Sequence, residues 1–226
     1  MIENQHRTIA EAYATAVSSS DLKCDTREGA PRSDSDVLAA AGWCESRIGS
    51  ALLRLHTEYD GAEHPRLMKP QDFYRAPIVI PKNGGKPTDA EKREAEADAK
   101  KFSEDQCEEH NKTQQLLMRS KLKTLPAVVQ QVEAQLKKWG EEDAKAVANA
   151  VVIWWLQQAC RSCNGRKFEI VPGTARLSNK TCKPCGGTGH ARIPHGDIGR
   201  RMANFLDDCV CRARLSISER LRATRH

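Results

Sequence analysis

The stretch that decides the fold runs from residue 160 to residue 189 and reads CRSCNGRKFEIVPGTARLSNKTCKPCGGTG. It contains two Cys-x-x-Cys pairs, Cys160 with Cys163 and Cys182 with Cys185, and 18 residues lie between the pairs. One such turn presents two thiolates to a metal ion, and a second turn completes a tetrahedron at Zn–S distances of ~2.3 Å. The spacing therefore predicts one structural zinc ion (Zn2+) with these four cysteines as its ligands.

Small residues follow each pair, Asn164-Gly165 after the first and the segment 186–189, Gly-Gly-Thr-Gly, after the second. Glycine allows the chain to turn tightly behind the thiolates, and such turns direct backbone N–H groups at sulfur. Four protein ligands leave zinc no open position, so we expect no hydrolytic chemistry there. The sequence does not require His190 or His195 as ligands. A redox role for the two pairs is the weaker alternative, because their separation favours a shared metal.

The segment between the pairs predicts two short strands around Pro172-Gly173. We expect its apolar side chains to cover the metal: Phe168, Ile170, Val171 and Leu177. The surface of this arm is basic, with six cationic residues: Arg161, Arg166, Lys167, Arg176, Lys180 and Lys183.

Helices are predicted on both sides of the arm. Pro126 suits the first turn of a helix, where its missing N–H is not needed, and Gly140 suits the C-cap that follows. A second helix is predicted over 141–159, running directly into Cys160, and a third over 194–206. Apolar residues at helical spacing mark these helices: Val128, Val129, Val132, Leu136, Trp139, Ala146, Val147, Ala150, Val151, Trp154, Trp155, Ile198, Met202, Phe205 and Leu206. We interpret Trp154 and Trp155 as core residues.

The rest of the chain carries weaker signals, and we predict a mainly α protein with three regions: 1–59, 60–112 and 113–226. The first is a helical segment, with a short helix around 9–17 and a helix start at Ser33. The second contains five prolines over 60–88 and a short apolar run, 78–80, that suits a small strand. Its charged part, 89–112, favours a solvated helix, with disorder as the alternative. The third region carries the zinc arm, 160–189.

Composition limits the class of protein. The chain has 226 residues, 39% apolar residues and a formal net charge of +6. Its longest uninterrupted apolar run, 151–156, is far shorter than the ~20 residues of a membrane span, and its N-terminus lacks the pattern of a signal peptide. Nine cysteines, four of them in two pairs, favour reduced thiols and a metal over a secreted disulfide scaffold. We expect the other five to be free thiols: Cys24, Cys44, Cys107, Cys209 and Cys211.

The charge is uneven along the chain. Residues 160–226 contain 14 Lys and Arg against 5 Asp and Glu, whereas residues 1–159 contain 22 against 25. A helix, a turn and an Arg-bearing helix are the arrangement of a helix-turn-helix reader, here with the zinc arm in place of the turn. This pattern favours contact with double-stranded DNA, and a solvated surface without a partner is the alternative. The candidate DNA contacts are Arg161, Arg166, Lys167, Lys183, Arg192, His195, Arg200 and Arg201.

These residues also carry a resemblance to a known family. The chain resembles the lambda-type Q late-gene antitermination proteins of lambdoid bacteriophages. The resemblance lies in the order of its parts: a two-helix apolar unit, CRSCNGRK, a short arm, CKPCGGTGHARIP and an Arg-bearing helix. The stretch SDSDVLAAAGWCESRIGSAL, at 33–52, also resembles this family. The similarity covers roughly 33–55 and 145–205. Residues 60–112 depart from the family pattern, so no contacts there are carried over.

The resemblance implies a specific function. Such factors bind DNA in a phage late promoter, load onto paused bacterial RNA polymerase that retains its primary sigma factor, and stay near the nascent RNA at the exit channel. There they suppress pausing and termination with the host factor NusA. The resemblance assigns zinc to the four cysteines and DNA binding to the helices 141–159 and 194–206. Base contacts are assigned to Arg192, His195, Arg200 and Arg201, and the N-terminal segment faces polymerase. The expected location is the cytoplasm of the bacterial host, away from membranes.

Three other functions compete with this interpretation. A sequence-specific zinc-containing DNA-binding regulator or recombination accessory, without polymerase modification, is the main alternative. A chaperone zinc module is disfavoured, because 182–189 fits the CxxCxGxG repeat of J-protein chaperones but 160–167 fits only in part. An enzyme is not expected, since the sequence has no P-loop, GxSxG or HExxH motif.

Overall fold

A computed structural model describes residues 8–20, 22, 33–44, 46–80, 86–170 and 176–223 of the chain. These residues form eight helices and one two-stranded antiparallel sheet, which confirms the prediction of a mainly α protein. The helices are α1 (Ile9–Ser18), α2 (Asp34–Gly42), α3 (Arg47–Asp60), α4 (Pro70–Phe73), α5 (Asp89–Ser120), α6 (Leu125–Lys138), α7 (Ala144–Leu156) and α8 (Gly196–Ala223). The strands are β1 (Phe168–Ile170) and β2 (Leu177–Thr181).

The chain divides into two compact units. The first comprises the described residues within 1–60 and 123–226, and the second those within 61–122. The N-terminal helices therefore belong to the same unit as the C-terminal helices and the arm. In that first unit α3 and α2 pack on α8, and α6 packs on α7 and α3.

Close packing of α3 on α8 depends on Gly49. A Cβ atom at this position would collide with the carbonyl oxygen of Cys209 on α8. Beside it, the Ser46 hydroxyl donates a hydrogen bond to the same oxygen at 3.4 Å. The absence of a side chain at Gly49 therefore allows the two helices to approach closely.

The core of the first unit is apolar and well buried. Its largest fully buried apolar side chains come from four helices and are Leu52, Leu55, Val128, Val132, Leu136, Val147, Val151, Val152, Met202, Leu206 and Ile217. Along α8 the buried positions continue past the predicted end at 206 through Cys209, Ala213, Ile217 and Leu221. Because this spacing keeps one face against the core, α8 is a single helix of 28 residues.

The ends of several helices agree with the sequence signals. Thr8 and Ser33 cap α1 and α2 with capping boxes. In each box the carboxylate of Glu11 or Asp36 accepts a hydrogen bond from the backbone N–H of the capping residue. Pro126 lies in the first turn of α6, and Gly140, at φ +82°, follows its end. The prediction for α7 was wrong at its C-terminus, because the helix ends at Leu156 and the chain is extended before Cys160.

The second unit contains α4 and the long helix α5. Helix formation over the charged stretch 89–112 is confirmed, and α5 continues to Ser120. The α5 residue Asn111 holds the loop before α4, since its side chain accepts a hydrogen bond from the Met68 N–H at 2.8 Å and donates one to the Met68 carbonyl at 2.9 Å. The run 78–80 is not a strand; Ile78 and Ile80 are 90% and 82% exposed. Among the described helices, none is long and apolar enough to cross a membrane.

Candidate metal centre and the basic surface around it

Four cysteine thiols meet in one buried cluster. The Sγ atoms of Cys160 and Cys182 lie 3.9 Å apart, and those of Cys163 and Cys185 lie 3.8 Å apart. All four Sγ atoms lie within 4.8 Å of one another. Ligands at ~2.3 Å from a tetrahedral centre are separated by about 3.8 Å, whereas a disulfide bond needs about 2.05 Å. The spacing therefore fits a metal ion held by all four sulfurs and excludes a disulfide in this arrangement.

Tight turns place the thiols. The residues after each pair have left-handed backbone angles, with positive φ at Asn164, Gly165, Gly186, Gly187 and Gly189. At Gly189 a side chain is excluded sterically as well, because a Cβ atom would lie 2.7 Å from the Gly165 carbonyl oxygen. The expectation of glycine turns behind the thiolates is confirmed, and the two turns contact each other there.

Backbone N–H groups surround the sulfurs. The N–H of Gly189 donates a hydrogen bond to Cys185 Sγ at 3.4 Å. Burial opposes ionisation of Cys185, but hydrogen bonds from Gly189, the Cys182 thiol and Gly187 outweigh it and lower the pKa of Cys185 to about 6. A backbone hydrogen bond from Cys163 also lowers the pKa of Cys160. Burial instead raises the pKa of Cys182 to about 12, so a divalent cation would have to displace its proton.

The chain entering the arm is paired with the chain leaving it. The N–H of Cys160 donates to the Gly189 carbonyl at 2.8 Å, and the N–H of Ala191 donates to the Gln158 carbonyl at 2.7 Å. These bonds flank an antiparallel bridge between Ala159 and His190. Because this pairing needs extended backbone, it accounts for the end of α7 three residues earlier than predicted.

The β1–β2 sheet forms as predicted, but two of its apolar side chains are exposed. Phe168 pairs with Thr181 and Ile170 with Leu177, with an irregular register between them. Phe168 and Leu177 are 39% and 46% exposed, so the prediction that they cover the metal was wrong. The predicted turn at Pro172-Gly173, the Val171 side chain and the Ile170 side chain lie outside the described part of the chain.

The cluster fits zinc by the chemistry of its donors. Soft thiolates in a closed tetrahedral set are the ligands of structural zinc, and such a set leaves no position for substrate. Within the described residues, groups able to hold a metal comprise this one set, and neither His190 nor His195 belongs to it. The structure thus supports a four-cysteine metal site.

The arm presents its cations to solvent. Arg161, Arg166, Lys167 and Lys183 are exposed and lie close in sequence to the metal ligands. Arg176 and Lys180 are also exposed, on or next to β2. The structure therefore places all six predicted basic residues of the arm on its surface.

The four predicted base-contact residues lie at the start of α8 or just before it. Arg192 and His195 are exposed, and His195 has φ +58°. Arg200 is exposed and pairs with Asp197 one turn earlier. Arg201 stacks on the Trp139 ring, with its guanidinium carbon 4.0 Å from the ring centroid. Two of the four side chains therefore have a partner inside the protein.

Two tryptophan side chains donate hydrogen bonds that join α7 to α8 and to the chain leaving the arm. Trp155 is buried and donates a hydrogen bond from Nε1 to Asp207 Oδ1 at 2.8 Å. Trp154 is half-buried and donates to the Ala191 carbonyl at 2.9 Å. The interpretation of both as core residues is confirmed for Trp155 and holds in part for Trp154. Their hydrogen bonds were not predicted, since no local pattern pairs residues 37 or 52 positions apart.

The other cysteines in the described residues are free thiols, as expected. Cys44, Cys107 and Cys209 are buried, and Cys211 is exposed. Burial raises the pKa of Cys209, which disfavours its thiolate form. Cys24 lies outside the described residues.

No protein-family model, curated protein or solved structure matches this chain. The functional assignment therefore depends on the chain's own residues and on the family resemblance in its sequence.

Proposed function

We propose that this protein is a zinc-containing transcription antitermination factor. It binds phage late-promoter DNA, loads onto paused bacterial RNA polymerase and lets polymerase read through terminators. The observation that carries the DNA-binding part is the four-thiol cluster, which supports an arm that exposes six basic side chains. The polymerase-directed part rests on the resemblance to lambda-type Q proteins.

Zinc gives the arm a fixed shape and so fixes the positions of its cations. Phosphate contacts from lysine and arginine supply most of the affinity of such a protein and make binding depend strongly on salt. Exposed Arg166, Lys180 and Lys183 suit that role. They position the protein on the duplex without reading its sequence.

The helix pair α7 and α8 is our proposal for the reading unit. Trp155 and Asp207 connect the two helices, which fixes the start of α8 relative to the arm. Stacking of Arg201 on Trp139 orients its guanidinium plane while leaving N–H edges for a base or phosphate. The Arg200–Asp197 pair is exposed, and such pairs are worth less than ~1 kcal/mol, so DNA can replace it. The helix-turn-helix assignment stays a prediction.

The N-terminal helices are proposed to face polymerase. Trp43, after α2, is 73% exposed. Exposed tryptophans are frequent anchors of protein interfaces. Weak contacts to DNA and to polymerase, made together, gain from effective concentration and confine loading to the promoter. Bulk and positive charge beside the RNA exit channel, with NusA, then oppose formation of the terminator hairpin without any catalysis.

The test is transcription in vitro with purified bacterial polymerase holding its primary sigma factor, on the cognate late promoter followed by a terminator. We expect full-length transcript only with both the protein and the promoter-proximal DNA. The variant Arg166→Ala/Lys180→Ala/Lys183→Ala should lose most read-through. Arg93→Ala/Lys101→Ala/Lys112→Ala changes charge equally on exposed α5 positions and is the matched control.

The outcomes separate the candidate functions. DNA binding that depends on the arm, without read-through, supports the alternative of a zinc-containing DNA-binding regulator or recombination accessory. Read-through that persists when the promoter-proximal DNA is replaced contradicts loading at the promoter. Absence of both binding and read-through contradicts both candidates.

A further inference from the structure

A wide groove lies between α6 and α8 in the first unit. It has a volume of about 1040 Å3 and is also lined by the first turn of α3. It exists because α6 packs on α7 and α3, whereas α8 packs on α2, α3 and α7. Its lining is basic, with Arg47, Lys138, Arg212 and Arg220 against a single carboxylate, Glu219.

The same groove has an apolar component. Ile48 and Phe205 line it and are half-buried, and Leu215 lines it with 57% of its surface exposed. Arg212 is held in place, since its Nε donates to the Asp208 carbonyl at 3.3 Å. A groove of apolar and cationic side chains suits an amphipathic helix with acidic residues beside its apolar positions.

The chain itself carries a helix face of that kind. On α5, Asp98, Phe102, Asp105 and Glu109 are separated by four, three and four residues, so they share one face. All four are exposed, and Phe102 is 63% exposed. The residues of α5 that are buried against the rest of the second unit, Ser103, Cys107 and Met118, occupy other positions.

We propose that the acidic face of α5, centred on Phe102, binds the basic groove between α6 and α8 of a second copy of the chain. Charge complementarity carries the choice of occupant, because three carboxylates flank Phe102 and four cations line the groove. Phe102 would pack against the apolar lining. The exchange is reciprocal, as in a two-fold symmetric dimer. This proposal is independent of the proposed function.

Charge reversal tests the proposal in the full-length, zinc-loaded protein. The first variant, Arg47→Glu/Lys138→Glu, makes the groove acidic, and the second, Asp105→Lys/Glu109→Lys, makes the helix face basic. All four side chains are exposed. Molar mass is measured by sedimentation equilibrium over a dilution series at low and high salt. Arg166→Glu/Lys180→Glu changes the charge equally on the arm and is the matched control.

We expect the wild type and the control to dimerise at low salt and dissociate as salt increases. Each reversed variant alone should bind itself at least tenfold more weakly. A mixture of the two should dimerise again, because a basic helix then meets an acidic groove and an acidic helix a basic one. A chain with all four reversals should dimerise with itself.

Other results overturn the proposal. A wild type that stays monomeric throughout, or a groove variant that dimerises as well as the wild type, excludes this contact. A fourfold-reversed chain that stays monomeric excludes the charge pairing. Binding of a single-stranded RNA by a monomeric wild type, lost in Arg47→Glu/Lys138→Glu, would make the groove a nucleic-acid site instead.

Discussion

The arm, 160–189, and the helices that flank it are stabilised in different ways. In the arm, the buried side chains that the structure describes are those of the four cysteines. In the helical part of the first unit, side chains such as Val132, Leu136 and Leu206 are completely buried in an apolar core. The described part of the arm buries no apolar side chain besides the cysteines and so gains little from the hydrophobic effect, and we expect its fold to depend on the metal.

Two different kinds of interaction therefore hold the helices and the arm in place. Apolar packing fixes α7 and α8, and the thiols fix the chain between them. The phosphate contacts proposed for Arg166, Lys180 and Lys183 lie on the part that is expected to depend on the metal. Metal binding should therefore control DNA affinity and leave the helical core intact.

Loss of one zinc ligand should have the largest effect, because it should unfold the arm and leave the helical core intact. Cys163→Ala removes a fully buried thiol, and structural zinc contributes ~10–16 kcal/mol to the folding of small zinc modules. We expect protease cleavage within 160–189, loss of bound zinc and at least a hundredfold weaker DNA binding, with helical circular dichroism nearly unchanged. Cys211→Ala, at an exposed thiol outside the cluster, is the control. Retained zinc and DNA binding in Cys163→Ala would oppose the account.

A core substitution should produce the opposite pattern. Leu206→Ala removes a fully buried side chain of α8, which costs about 2–5 kcal/mol of the free energy of unfolding. Urea denaturation should show this loss, while zinc stoichiometry stays at one per chain. Leu215→Ala lies on the same helix, where its side chain is 57% exposed, and should cost less than ~1 kcal/mol. Equal effects of the two would show that α8 is packed differently.

The contact between the two cysteine turns gives a smaller effect. Gly189→Ala places a Cβ atom against the Gly165 carbonyl at a residue with φ +81°, which should cost about 1–3 kcal/mol. We expect weaker zinc binding in competition with a chelator. At Gly186 φ is +59°, but an added Cβ atom would meet no other atom within 4 Å. Gly186→Ala therefore measures the effect of backbone strain without a steric collision. Equal zinc affinity in both variants would show that the close contact at Gly189 contributes nothing.

The connection between α7 and α8 should show the smallest effect. Asp207→Ala removes the acceptor of the Trp155 Nε1–H and, because Asp207 is exposed, should cost only about 0.5–1.5 kcal/mol of the free energy of unfolding. The tryptophan fluorescence of the protein should also change, because the surroundings of the Trp155 indole are altered. Asp208→Ala removes a neighbouring exposed carboxylate as the control. If both variants unfold at the same urea concentration, the hydrogen bond does not stabilise the helix pair.

The sequence predicted local features better than distant ones. The clustering of the four cysteines was predicted from spacing, because two Cys-x-x-Cys turns at this separation favour a shared metal site. The capping of α2 by Ser33 and the start of α6 near Pro126 could also be predicted, because each depends on residues that are close together in sequence. The end of α7 was missed because its cause, the pairing of Ala159 with His190, joins residues far apart in sequence.

The length of α8 and the groove were missed for other physical reasons. Cys209 and Ala213 continue the buried face of α8, but their small side chains give a weak apolar signal. Arg47, Lys138 and Arg212 come from three separate helices, so only the tertiary fold brings them to one groove. Exposure of Phe168 and Leu177 was missed because alternation of apolar residues does not tell which face of a two-stranded sheet is covered.

Titration of the metal-free, full-length protein with zinc tests whether the metal controls DNA affinity. Zinc content, circular dichroism and affinity for a DNA duplex are followed in the same samples. We predict that one zinc per chain restores DNA binding, while the helical signal changes little. Equal DNA affinity with and without zinc would contradict it, as would helices that form only when zinc is added.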